Sequence, residues 1–326
     1  AQVIEHYRDI ATVLGVPESR VRVIGTLMGG GFGGKEDVTV EVFLALMAWK
    51  TGLPVKLTFT REEMGYARHK RHPYVLKYKT GATKDGKLVA MEAQIVSDAG
   101  AYVYLSPWVL IYSTVHSTGP YLIPNVKVDA NSVLTNNIMT SAFRGFGGMQ
   151  VVAAYEAQMD DLAEKLGMDP IALRVKNFLK KGDVTASYQE ITSEVWLEKC
   201  ARAAMEALGP KSKGGKTTKV GRGLACAWQS YGRMTYLHDT SNCWVNLEMD
   251  GSAVVRTGIP DLGGGQRESV RAVAAEVLGL DIEEIHVIST DSQVTPLSGT
   301  VTATRALYMS GNATKLAAEN VKRIIT

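Results

Sequence analysis

Cysteine is scarce: Cys200, Cys226 and Cys243 are the only three in 326 residues. They are too few and too far apart for an iron–sulfur or zinc motif, and their odd number argues against a disulfide framework. An excess of one charge is also lacking. The 36 Lys and Arg nearly balance 33 Asp and Glu, and a net +3 is far too small to argue for a nucleic-acid partner. The six histidines are scattered, with no pair at ligand spacing. The one basic cluster, Arg68-His69-Lys70-Arg71-His72, reads as a solvated loop. No apolar run reaches the ~18 residues of a membrane span, and no signal peptide opens the chain. A cytoplasmic protein without membrane or nucleic-acid partners is the expectation.

Glycine is what the chain has in one place. Between residues 29 and 34 only Phe32 interrupts it, and Lys35-Glu36 follow. Residues 21–24 alternate like a strand before this loop. Residues 37–50 are apolar nearly all round, which predicts a buried helix after it. Residues 55–59 read as a further strand. Residues 75–104 read as strand, turn and strand, with Asp85-Gly86 as the hairpin signal. A long amphipathic helix spans 151–166 and stops at Gly167, with Asp169-Pro170 behind it. Residues 193–208 look helical. Residues 209–223, polar, basic and glycine-rich, form the best linker.

Beyond the linker, 243–257 reads as a hairpin turning at Asp250-Gly251, and 261–279 as another glycine loop opening a helix. The expected division is a first domain over 1–208, a linker over 209–223 and a second domain over 224–326. The two halves share a strand, glycine loop and helix, so a duplicated unit is one reading. Hairpins mixed with helices point to α+β layers with mixed sheets. Both ends fall in helical patterns and Ala1 is no initiator, as in an excised piece or a processed subunit.

Glycine permits positive φ and close approach of a ligand to bare amides. A helix N-terminus behind such a loop attracts anions. Residues 29–35 match a P-loop up to Lys35, but Glu36 stands where Ser or Thr must hold Mg²⁺. Residues 29–34 also match a dinucleotide fingerprint, whose acidic partner would have to be the rather late Glu62. Three more segments resemble the first in character: "SAFRGFGGMQ" (141–150), "DLGGGQ" (261–266) and "GTVTATRALYMSGNA" (299–313). Four amide-rich segments suit one large, extended polar ligand; a single phosphate needs only one loop.

"GGGFGGKE", "AFRGFGG", "AAEVLG" and "TATRALYMSGNA", in this order and spacing, resemble the molybdopterin-binding part of the xanthine dehydrogenase and aldehyde oxidase family of molybdenum hydroxylases. The resemblance covers essentially the whole chain. It implies two layered α/β cofactor-binding domains and a molybdenum–molybdopterin cofactor, plain or in its cytosine dinucleotide form. The metal is held through the pterin, with no direct protein ligand here.

The resemblance also implies site residues. Gly31, Phe32 and Gly33 match the turn against the metal's apical oxo group and the pterin. Arg144 matches the arginine beside the metal, Gly264, Gly265 and Gln266 a loop touching the pterin or its phosphate, and Ala303 and Thr304 another cofactor segment. Glu36 matches a residue that binds heteroaromatic substrates, and Phe146 the ring that stacks on them; Glu36 as a helix cap and Phe146 as core remain the plainer readings.

The family inserts water-derived oxygen into a C–H bond beside a ring nitrogen or a carbonyl. A glutamate serves as general base, but no residue here matches it, so no catalytic residue is expected in this chain. Iron–sulfur clusters, FAD and the remaining molybdopterin-domain segments are expected on partner subunits or domains, and the chain alone should not turn over. The substrate is a nitrogen heterocycle or an aldehyde.

Two departures narrow this. Tyr112 stands where purine-oxidising members carry arginine, and no arginine occurs between Arg71 and Arg144. Gly264 stands where glutamine is usual, leaving Gln266 as the replacement contact. A dinucleotide-dependent oxidoreductase and a non-catalytic cofactor-binding scaffold are the competing classes.

Overall fold

The computed structural model describes residues 3–210, 213–230 and 239–326. Their elements in chain order are α1 (Val3–Leu14), α2 (Glu41–Thr51), α3 (Arg61–Ala67), β1 (Tyr74–Ala82), β2 (Leu88–Gly100), α4 (Ser106–Val115), β3 (Asn125–Leu134) and α5 (Gly148–Leu166). Then follow α6 (Pro170–Asn177), α7 (Leu197–Leu208), β4 (Cys243–Leu247), β5 (Ala253–Thr257), α8 (Gln266–Leu278), β6 (Ile285–Ser289) and α9 (Arg305–Ile325). The fold is α+β, as expected, with two mixed three-stranded sheets among the described residues.

The chain forms two compact units. Residues 1–68 and 230–326 contribute to one unit, and residues 69–229 form the other. The described part of the 209–223 segment carries neither helix nor strand.

In the contiguous unit, β1 pairs antiparallel with β2, and β2 pairs parallel with β3. Gly86, at φ 85°, makes the hairpin turn. Strand periodicity sends Met91, Ala93 and Ile95 of β2 to the core and Glu92 and Gln94 outward. Helix periodicity brings Val151, Tyr155, Met159 and Ala163 of α5 to the same core, one per turn. Gly167 ends α5 in the left-handed conformation, and Asp169 caps α6 by accepting from the Ala172 N–H at 2.9 Å.

The discontinuous unit repeats this topology. β4 pairs antiparallel with β5, β5 pairs parallel with β6, and α8 and α9 follow β5 and β6 as α4 and α5 follow β2 and β3. Val255, Ile285, Val287, Val270, Ala274 and Ala306 fill its core. The repeat therefore relates 74–166 to 243–325, whereas the sequence pattern pairs the latter with residues near the first glycine loop.

Four local expectations are corrected. Residues 21–24 form a single bridge, Ile24 to Asp291, because their partner is a short segment after β6 and no continuous strand. Residues 55–59 form no ladder with any described residue. The apolar helix is present as α2, yet none of its residues is buried. Likewise the 68–72 stretch is no solvated loop throughout: His69 and His72 are buried, His69 Nε2 donating to the Ala142 carbonyl at 2.9 Å and His72 Nε2 pairing with Ser106 Oγ at 2.8 Å.

Candidate functional site

The predicted residues fall into two sets, one in each unit. In the discontinuous unit the first glycine loop hangs from a pinned segment. The Gly25 N–H donates to the Thr290 carbonyl at 2.7 Å, and Arg22 Nε donates to Asp291 Oδ1 at 3.0 Å. That guanidinium holds the Asp291 carboxyl below its usual range, the hydrogen bond being the largest cause. Beyond the pin the loop folds on itself. Gly34 N–H donates to the Gly31 carbonyl at 2.8 Å, and Lys35 Nζ reaches the Gly30 carbonyl at 2.7 Å.

Phe32 sits at φ 53° with 65% of its surface exposed. Side chains rarely adopt this conformation, so the backbone here is strained. Glu36 and Asp37 behind it are buried.

The 261–266 loop lies against this one. A Cβ on Gly263 would fall 2.7 Å from the Met28 carbonyl oxygen, so only glycine lets the two backbones meet. Asp261 shapes the loop: its carboxylate accepts from the Gly263 N–H at 2.9 Å and the Arg267 N–H at 3.3 Å. Gln266 folds back, its Oε1 accepting from the Gly264 N–H at 3.2 Å. It thus occupies the space beside Gly264 that a longer side chain there would fill. Gly265 starts α8 at φ 73° with no side chain capping the helix.

The 299–304 segment is shaped by Arg305, which is buried and donates to Asp239 Oδ1 at 2.5 Å, the Thr300 carbonyl at 2.7 Å and the Thr240 carbonyl at 2.8 Å. Ala303 sits at φ 48°, and Thr304 precedes α9 without capping it by its side chain. Thr302 Oγ1 is buried and has no partner among the described residues.

In the contiguous unit, the 143–150 loop carries Arg144, Phe146 and the uncapped start of α5. Phe146 is at φ 45° between Gly145 and Gly147, both at φ 94°. Arg71 braces the loop: its guanidinium lies 4.5 Å from the centre of the Phe143 ring and donates to the Arg144 carbonyl at 2.7 Å. Tyr112, from α4, meets Phe146 edge to face at 5.2 Å, and His116 stacks on Tyr112 at 5.6 Å. His116 Nδ1 donates to the Tyr112 carbonyl at 2.7 Å, and burial pushes its pKa down. Trp228 closes this cluster, 5.6 Å from His116. Gln150 Oε1 is buried without a partner among the described residues.

The structure thus brings Tyr112 together with Phe146, and the 29–36 loop together with the 261–266 loop. Sequence reasoning missed Arg71, His116, Asp261 and Arg305, which shape these loops. Asp261 carried a signal, as an Asp two residues before a glycine in a turn; the other three carried none. Within each unit, glycine-bearing loops, a helix start with no side-chain cap and one orphaned polar atom, Thr302 Oγ1 in the discontinuous unit and Gln150 Oε1 in the contiguous one, offer hydrogen-bonding groups to a polar ligand.

Comparison with known proteins bears on which ligand. Two family models, each described as a molybdopterin cofactor-binding domain, match residues 2–178 and 196–326. A probable xanthine dehydrogenase subunit of Bacillus subtilis is 34% identical over 94% of this chain and 42% of its own length. The nicotinate dehydrogenase large molybdopterin subunit of Eubacterium barkeri is 45% identical over 62% of this chain and 48% of its own. The structure of the aldehyde oxidoreductase from Desulfovibrio gigas superposes with a TM-score of 0.85 at 31% identity, over 99% of this chain and 36% of that one. The chain therefore spans less than half the length of these relatives.

Proposed function

Because the chain belongs to the molybdopterin-binding family of molybdenum hydroxylases, we propose that it is the cofactor-holding part of an oxidoreductase that inserts water-derived oxygen into a C–H bond of a nitrogen heterocycle. The observation that carries this is where the backbone is strained. Phe32, Phe146 and Ala303, three of the six described non-glycine residues at positive φ, fall in three of the four loop segments that the sequence singles out. Such strain persists only where the surroundings over-determine the geometry, and it clusters at functional sites.

The bound molybdenum–molybdopterin group supplies the two-electron acceptor for the oxidation. The chain's own residues hold and orient it. Gly31, Phe32 and Gly33 present backbone and one wall; Gly264, Gly265 and Gln266, with Ala303 and Thr304, offer amides and side-chain polar atoms to the pterin or its phosphate. Arg144 places a cation beside the group. Glu36 would hold a polar edge of the substrate. Phe146 would cover the substrate ring, worth ~0.5–1.5 kcal/mol beyond area burial, with Tyr112 fixing its tilt. The plain or cytosine dinucleotide form of the cofactor, and iron–sulfur and flavin partners, belong to this proposal. An aldehyde substrate is the second reading, favoured by the likeness to aldehyde oxidoreductase.

Tyr112 decides between rings. Its neutral hydroxyl cannot stabilise the negative charge that a purine gathers during oxidation, and such electrostatic terms are often the largest in catalysis. Nicotinate should therefore outperform xanthine and hypoxanthine in kcat/KM, measured on the assembled enzyme after molybdenum and pterin analysis. Tyr112→Arg should raise xanthine turnover relative to the native substrate. Xanthine as the best wild-type substrate would refute the role given to Tyr112, and absence of molybdenum from active enzyme would refute the whole reading.

A further inference from the structure

The loop of Phe146 does not by itself orient the phenyl ring. Phe146 is at φ 45°, and Gly145 and Gly147 on either side are both at φ 94° and offer no Cβ to lean on. The Phe146 N–H donates to the Phe143 carbonyl at 2.8 Å, which fixes the turn and not the side chain. The ring is met instead from α4. Tyr112 approaches it edge to face, the planes at 87° and the centres 5.2 Å apart.

Tyr112 is half-buried and is held from one turn further along. His116 follows it by four residues, the spacing that puts two side chains on one helix face. The two rings are parallel within 6°, their centres 5.6 Å apart. The imidazole is pinned. Its Nδ1–H donates to the Tyr112 carbonyl at 2.7 Å, and the His116 backbone N–H reaches the same oxygen at 3.0 Å. His116 is 1% exposed, and burial lowers its pKa, so the ring is neutral at neutral pH. Trp228 lies on its other side, the planes tilted by 55° and the centres 5.6 Å apart. Trp228 Nε1 is buried with no partner among the described residues. An unpaired buried donor is costly, so the indole is placed here for its face and not for its N–H.

Four rings of the contiguous unit thus run in series, from Trp228 through His116 and Tyr112 to Phe146, and His116 is the one fully buried. Ring contacts are directional as well as apolar, so orientation passes along the series. We propose that His116 is a positioning residue for the substrate: its flat ring, backed by Trp228, orients Tyr112 and through it the tilt of Phe146, which sets how tightly a flat aromatic substrate is held. The substrate half of this rests on the reading in which Phe146 covers the substrate ring; the placement of Phe146 by His116 does not. The role needs a flat buried ring, not acid–base chemistry. The Nδ1 bond holds a ring that a phenyl group of similar size keeps in place by burial.

The test uses the full-length enzyme that contains this chain, with para-fluorophenylalanine incorporated. The fluorine NMR signal of Phe146 is identified by its loss in Phe146→Leu. His116→Leu keeps apolar bulk and removes the flat ring. It should shift the Phe146 signal and raise KM for nicotinate about fivefold, as loss of an aromatic pair does, with kcat changed by less than about twofold. His116→Phe should keep the signal and KM at wild-type values. In a Phe146→Leu background, His116→Leu should raise KM by less than about twofold, because residues that act through one another are not additive. Trp228→Leu should move the signal and KM in the same direction as His116→Leu, and it reads the same quantities should that variant not fold. An unmoved Phe146 signal in the Leu variants, a His116→Phe enzyme that behaves like His116→Leu, or additive effects in the cycle overturns the proposal. Failure of the heterocycle reading looks different: wild type leaves nicotinate unoxidised, and the substrate half falls with it, while the Phe146 signal still responds to His116→Leu.

Discussion

A methyl group on Gly147 would lie 2.3 Å from the Val109 carbonyl oxygen and 2.5 Å from Ser113 Oγ, at a φ of 94°. Neither neighbour can retreat easily, since Val109 is backbone of α4 and Ser113 Oγ is bonded to that same carbonyl at 2.9 Å. Gly147→Ala should therefore cost about 2–4 kcal/mol in urea unfolding, overpacking and backbone strain acting together. Glycines of this kind could be read from the sequence, and with them the loops that carry Phe32, Phe146 and Ala303. The bracing groups could not, because Arg71 and Arg305 find their partners through packing that no local pattern encodes. The same holds for His72. Burial, with His69 and Arg71 nearby, pushes its pKa down to about 4 despite Asp98. The unfolded chain then binds the proton first, at ~6.5. Stability should be full above that value, fall as pH drops toward about 4, and level off below. The loss is at most on the order of 3 kcal/mol, and His72→Gln should flatten this part of the pH–stability curve.

Between elements, a buried ionic network ties α5 to α6 and to the chain before β3. Arg174, fully buried, donates to Glu156 Oε2 at 2.9 Å and to Asp160 at 2.8 Å, and the Tyr121 hydroxyl donates to Glu156 as well. Arg174→Met would strand the Glu156 carboxylate and should cost roughly 3–5 kcal/mol by denaturant titration. The double change Arg174→Met with Glu156→Leu should recover most of this, because an apolar pair leaves no buried charge. Elements that satisfy themselves locally were legible in the sequence. The hairpins at Asp85-Gly86 and Asp250-Gly251, the stop at Gly167 and the cap at Asp169 all carry their own instructions. Residues 21–24 and 55–59 have strand composition, but a ladder needs a partner strand, and periodicity says nothing of whether one is present. The same limit explains α2: its apolar sides predict burial and cannot name what covers them.

At the scale of the molecule, the two units differ in how the chain builds them. Residues 69–229 form one unit from contiguous sequence, and its strands pair with near neighbours. The other unit must join residues near the start to residues beyond 239, as in the pairing of Arg22 with Asp291 across 269 positions. Closing a loop that long carries an entropic cost before its contacts repay it, and non-local pairing slows folding. The hairpin of β4 and β5 is itself local, but the pins at Gly25–Thr290 and Arg22–Asp291 can form only after both ends are in place. The contiguous unit should therefore fold first. Pulsed hydrogen exchange during refolding measures this directly. Amides of β1–β3 should gain protection before Gly25 and the amides around Thr290 do, with β4–β6 intermediate. Slowing should be specific: Arg22→Ala should delay the late phase and leave the early one unchanged, since the Arg22 guanidinium bonds to Asp291, within the discontinuous unit. Simultaneous protection of all these amides would mean that the long-range pins form with the rest, and that chain connectivity does not order the folding of the two units.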